Sequence, residues 1–101
     1  MKIQVLREAC CAQDDQLGPL EATYEIRSDA TIGDLVSTVV ESRFLQYSSS
    51  HTSLVGLARG RQVVRVFSPF YTQNRSPEFA VHPADLVSAL VADQPMEFRF
   101  V

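Results

Sequence analysis

The most reactive side chains in the chain are two neighbouring thiols, Cys10 and Cys11. A cysteine pair in a loop suggests metal or redox chemistry. Zinc asks for four ligands, with cysteines two to four residues apart and further Cys or His to complete the tetrahedron. Here the cysteines are adjacent, and the only histidines, His51 and His82, have no paired spacing with them. Adjacent cysteines also have the wrong geometry for a relaxed disulfide. Two small half-buried residues packing the tip of a first hairpin explain the pair better, so neither a metal nor another cofactor is expected. Ser48-Ser49-Ser50-His51 brings hydroxyls beside an imidazole. A hydrolase would add a nucleophile elbow, a Gly-rich oxyanion loop and an acid to orient the imidazole, and the sequence supplies none of them. A loop between helix and strand is the simpler account. Asp14-Asp15 read as solvated carboxylates in a turn, His82 as a helix cap, and Gly60 lies in no phosphate-cradling motif. No catalytic constellation emerges, and the chain is not expected to be an enzyme.

Two groups of residues are better suited to recognition than to chemistry. Arg59, Arg61 and Arg65 concentrate positive charge around one hairpin of an otherwise acidic chain, where guanidinium forks can receive a partner's carboxylates. Phe70, Tyr71 and Phe79 lie in a proline-containing connection without usable period over 69–81. Connections longer than ~12 residues are uncommon in compact domains and often functional, and aromatic side chains are favoured interface anchors. At least one of the two phenylalanines is expected to fold back over the open end of the core.

Composition narrows the field. With 101 residues, 46% of them apolar and 21% charged, the chain makes one domain, residues 1–101, able to bury a core without staples. Twelve acids against nine bases give a net charge of -3, which argues against a nucleic-acid backbone or an anionic membrane surface as the main partner. No apolar run reaches the ~18–20 residues needed to span a bilayer, and the opening MKIQVLREACC does not read as a secretory signal. These observations predict a soluble, cytoplasmic protein that neither inserts into membranes nor binds nucleic acid.

The elements that must position these residues follow from periodicity. Residues 2–7 alternate with Ile3 and Val5 on one side, and 20–27 alternate with Leu20, Ala22, Tyr24 and Ile26 inward. Over Thr31 to Leu45 the apolar residues Ile32, Leu35, Val36, Val39, Val40 and Phe44 recur at helical steps. Thr31 and Asp34 supply a capping-box start. Residues 54–59 and 62–68 are β-rich, and Gly60 between two arginines marks the tight turn of a hairpin. His82-Pro83-Ala84-Asp85 opens a short second helix with stripe Leu86, Val87, Leu90 and Val91. The closing MEFRFV alternates strictly and is apolar enough to lie inside a sheet rather than at its edge.

This order, hairpin, helix, hairpin, short helix and final strand, with Ser28-Asp29-Ala30-Thr31-Ile32-Gly33-Asp34-Leu35 opening the main helix, resembles the ubiquitin-like β-grasp superfamily. The resemblance implies an α+β fold: a mixed five-stranded sheet (β-β-α-β-β-α-β), first and last strands parallel neighbours, one main helix across one face. Members that conjugate or carry sulfur end in Gly-Gly, whereas this chain reads Phe98-Arg99-Phe100-Val101 at that point. The resemblance therefore implies the superfamily's other common use, non-catalytic docking. The leading expectation is an adaptor, or an inhibitor of immunity type, that binds another protein. A thiol- or metal-dependent carrier using Cys10 and Cys11 is the alternative. A third is a structural subunit self-associating through an exposed edge strand, either the second strand or 62–68.

Overall fold

The computed structural model describes residues 1–9, 20–47, 51–69, 75–91 and 94–101. Among the described residues, six strands and two helices follow in order: β1 (Lys2–Arg7), β2 (Glu21–Glu25), α1 (Ile32–Glu41), β3 (Ser53–Ala58), β4 (Arg61–Phe67), β5 (Glu78–Phe79), α2 (Val87–Leu90) and β6 (Met96–Phe100). The fold is α+β, with one mixed sheet ordered β2-β1-β6-β3-β4-β5. β1 and β6 pair in parallel, and every other neighbouring pair is antiparallel. Among the described residues no helix is long and apolar enough to cross a membrane.

The sheet has six strands, not five. The sixth, β5, comes from the connection over 69–81, where Phe79 pairs with Val64 and Glu78 with Arg65. Two residues are too few to show a period, so pairing along β4 creates this strand rather than any pattern of its own. It also covers part of β4, and the free edge expected along 62–68 is interrupted there; β2 is an edge as expected.

One sheet face carries the core. Ile3, Val5, Leu54, Ala58, Val64, Val66, Met96 and Phe98 are buried against Ile32, Leu35, Val36 and Val39 of α1 and Val87 and Val91 at α2. The β3–β4 hairpin contains a bulge. Gly56 pairs with Val64 but Leu57 with Gln62, leaving Val63 extra. Val63 and Val64 are consequently both buried in the core. Arg59 (φ 56°) and Gly60 (φ 78°) form the left-handed pair of a two-residue hairpin turn, whose twist matches that of the strands.

The main helix is shorter than its periodicity suggests. It starts at the Thr31 cap, where Asp34 N–H donates to Thr31 Oγ1 (3.2 Å) and Thr31 N–H donates to Asp34 Oδ2 (3.1 Å). It ends at Glu41, because Arg43 adopts φ 60° and turns the chain. That turn sends Phe44 and Leu45 into the core, while Val40, which the helical pattern places on the apolar face, is 42% exposed. The second helix is likewise reduced to Val87–Leu90. Residues 83–85 instead serve α1: Ile32 N–H donates to the Asp85 carbonyl (2.8 Å) and Gly33 N–H to that of Pro83 (2.9 Å). First-turn donors, which have no partner inside their own helix, are thus satisfied by backbone.

Candidate functional site

The residues nominated from sequence divide sharply in space. Phe70 and Tyr71 lie outside the described residues, as do Cys10, Cys11, Asp14, Asp15 and Ser48 to Ser50. Phe79 is half-buried and packs against the core. Its ring also lines an open groove of about 500 Å³ between the start of α1 and residues 77–84, with Val36, Pro77 and Pro83. Two of its polar groups are engaged within the chain. Asp34 holds the helix cap, and His82 Nδ1 accepts from Ala84 N–H (3.1 Å). The Thr31 N–H and hydroxyl, with a smaller contribution from the Arg27 charge, hold the Asp34 carboxyl below the usual aspartate range.

The three arginines are not one patch. Arg59 and Arg61 are exposed at the β3–β4 tip. Cross-strand partners share a face, so Arg61, paired with Ala58, belongs to the core side of the sheet, and Arg65, paired with Val55, to the opposite side. A regular strand would put residues 61 and 65 on one face, and the bulge at Val63 separates them.

Arg65 gains other company. Its Nη2 donates to Ser53 Oγ (3.2 Å), and its guanidinium carbon stands 5.2 Å from the Phe67 ring centroid. The Arg75 guanidinium lies over the same ring at 4.2 Å. Two cations thus converge on one aromatic side chain, each contact contributing roughly 0.5–2 kcal/mol according to its desolvation. Glu78 sits across the β4–β5 pair from Arg65, but its carboxylate accepts from Arg75 Nη2 (2.9 Å). Beyond Val55 in the same row, Arg99 is held by Glu97 through Nε (3.2 Å) and Nη2 (2.9 Å). Among the described residues no carboxylate pairs with Arg65, and its Nε is a buried donor without an acceptor. An unsatisfied buried donor costs about 1–3 kcal/mol.

Half-buried Leu6, Val55 and Leu57, alternating along their strands with core residues, share this outer face with Gln62 and, toward β2, with Lys2, Gln4, Glu21, Thr23 and Glu25. The alternation signals of Arg65 and Phe67, two residues apart on β4, were available in sequence. Arg75 was not, because it comes from a segment without a period. Among the described residues, no group of three or more His, Cys, Asp or Glu side chains is placed to hold a metal ion. In comparison with known proteins, no family model matches the chain, and neither a curated protein nor a solved structure matches it.

Proposed function

We propose that this chain is a non-catalytic protein-docking module, an adaptor or an inhibitor of immunity type, built on a ubiquitin-like β-grasp. The strand order β2-β1-β6-β3-β4, with its central parallel pair and a capped helix after the first hairpin, supports the β-grasp reading. The observation that carries the docking reading is the outer sheet face. It combines half-buried Leu6, Val55 and Leu57 with the Arg65–Phe67–Arg75 cluster, and among the described residues both helices pack on the other side. A partly apolar surface with aromatic and arginine anchors is the composition of an interface centre.

The test is crosslinking in extract of the source cells, with photoreactive residues at Leu57 on the outer face and at Glu41 on α1. A specific protein crosslinked from Leu57, and lost on charge removal at Arg65 or on Val55→Asp, supports the reading. If no protein is captured from either position, and Arg61→Glu and Tyr71→Ala leave unchanged every phenotype that deletion changes, the docking reading is wrong.

A further inference from the structure

We infer that the outer face between β3 and β5 is a receptor for an acidic, amphipathic protein segment, with Arg65 and Arg75 taking its carboxylate and Val55 and Leu57 its apolar side chains. The inference rests on the docking reading and specifies the partner's chemistry. Its basis is local charge accounting. Between β3 and β5 the face holds Arg65 and Arg75 against Glu78, which is bound by Arg75; toward β1, Glu97 is bound by Arg99 and the Glu8 carboxylate accepts from Phe100 N–H (3.1 Å). Among the described residues this leaves Arg65 as the cation without an ion-pair partner, stacked on Phe67 and flanked by half-buried Val55.

Arg65 is also ordered before any ligand arrives. Its strand fixes the backbone, Ser53 Oγ accepts from Nη2, and the guanidinium carbon lies 5.2 Å from the centre of the Phe67 ring. Little side-chain freedom is left to lose, and such freedom costs up to ~2 kcal/mol for an arginine. Guanidinium groups form their strongest pairs with carboxylate and phosphate. A phosphate polymer would meet a chain of net charge -3, whereas one or two carboxylates on a short segment meet only the local excess. Val55 and Leu57 point to the same face two residues apart on β3, a spacing of about 6.7 Å. This matches alternate side chains of an extended ligand.

The experiment is amide and arginine-Nε NMR titration of the isotope-labelled full chain with a blocked peptide of alternating glutamate and leucine. Controls are the glutamine-for-glutamate peptide and inorganic phosphate. Saturable shifts at Ser53, Val55, Leu57, Arg65 and Arg75 are expected. Replacing glutamate by glutamine in the peptide, or making Arg65→Gln or Arg75→Gln, should weaken binding about tenfold or more. Arg75 is exposed and paired only at the surface, so its variant keeps the test valid if Arg65→Gln unfolds the chain. Equal binding of the glutamine peptide, equal shifts from phosphate, shifts mapping elsewhere, or no saturation by about 10 mM, weaker than any affinity of functional use, would each overturn the inference. If the peptide fails while crosslinking captures a partner from Glu41, only this inference falls and the docking reading stands. If the peptide binds at Arg65 but no protein is captured from the cells, the docking reading fails and this inference, which rests on it, falls with it.

Discussion

Gly56 is the position where a single methyl group should do the most damage. It sits on the core face of β3, between Val64 of β4 and Phe98 of β6. A Cβ there would stand 2.8 Å from Met96 Cε, 2.8 Å from Val64 Cγ1 and 3.0 Å from Phe98 Cε1, whereas ordinary contact begins at 3.4 Å. The neighbours must therefore retreat by 0.4 to 0.6 Å (3.4 − 3.0 and 3.4 − 2.8). The Met96 terminus can swing aside. Val64 and Phe98 cannot move as freely, because both are buried in the same cluster at 0% and 1% exposure. Overpacking of this kind costs about 1–3 kcal/mol. Gly56 does not occupy the left-handed region, so Gly56→Ala adds no backbone strain and gains about 0.4–1 kcal/mol by restricting the unfolded chain. The net loss expected is about 1–2 kcal/mol, a fall in Tm of roughly 4–16 °C for a domain of this size. Urea unfolding should show a lower midpoint at unchanged slope. Val64→Ala should cost less in the Gly56→Ala background than in the native chain, with a coupling of about 0.5–3 kcal/mol. A Gly56→Ala protein as stable as the native one, with additive effects at 56 and 64, would refute the packing argument.

Other perturbations probe the caps and turns. Thr31→Val removes the N-cap hydroxyl and should cost ~1 kcal/mol, measured by urea unfolding; the Asp34 carboxyl, followed by NMR, should titrate higher in the variant. Because the fold lowers the Asp34 pKa, its contribution to stability is present above the unfolded value of about 3.9 and declines as pH falls through the lower folded value. Burial pushes the Tyr47 hydroxyl up to about 12; its ultraviolet titration should lie well above the ordinary value, and stability should fall as pH rises from the unfolded value of about 10 toward the folded one, since only the unfolded chain ionises there. Arg59→Asn places an Asn-Gly pair in a left-handed turn that arginine occupies at some strain. It should stabilise the hairpin by up to ~1 kcal/mol, seen as a Tm rise of a few degrees; a fall in Tm would mean that Arg59 makes a stabilising interaction beyond the turn.

The sequence alone determined the elements whose reasons are local. Strand alternation in 2–7 and 96–100, the Thr31–Asp34 capping box and the Gly60 turn are each written in neighbouring residues, and all appear in the structure. Failures occurred where a distant contact overrode a local pattern. The helical stripe runs through Phe44, yet the left-handed turn at Arg43 ends the helix and delivers Phe44 to the core by another route, against Tyr24 and Arg7. β5 has no pattern of its own and exists because β4 offers it an edge. The candidate surface divides in the same way. Arg65 stood out as a cation on a strand, but its grouping with Arg59 and Arg61 assumed a regular hairpin. One extra residue at Val63 reverses the side-chain alternation and sends Arg61 to the other face. What gathers around Arg65 instead is Phe67 from its own strand, Ser53 from the strand beside it, and Arg75 from the connection beyond. Period-two and period-3.6 patterns report which side of an element faces the core. Bulges, left-handed turns and two-residue strands depend on what the rest of the chain places beside them, so the candidate surface took shape only in the tertiary structure.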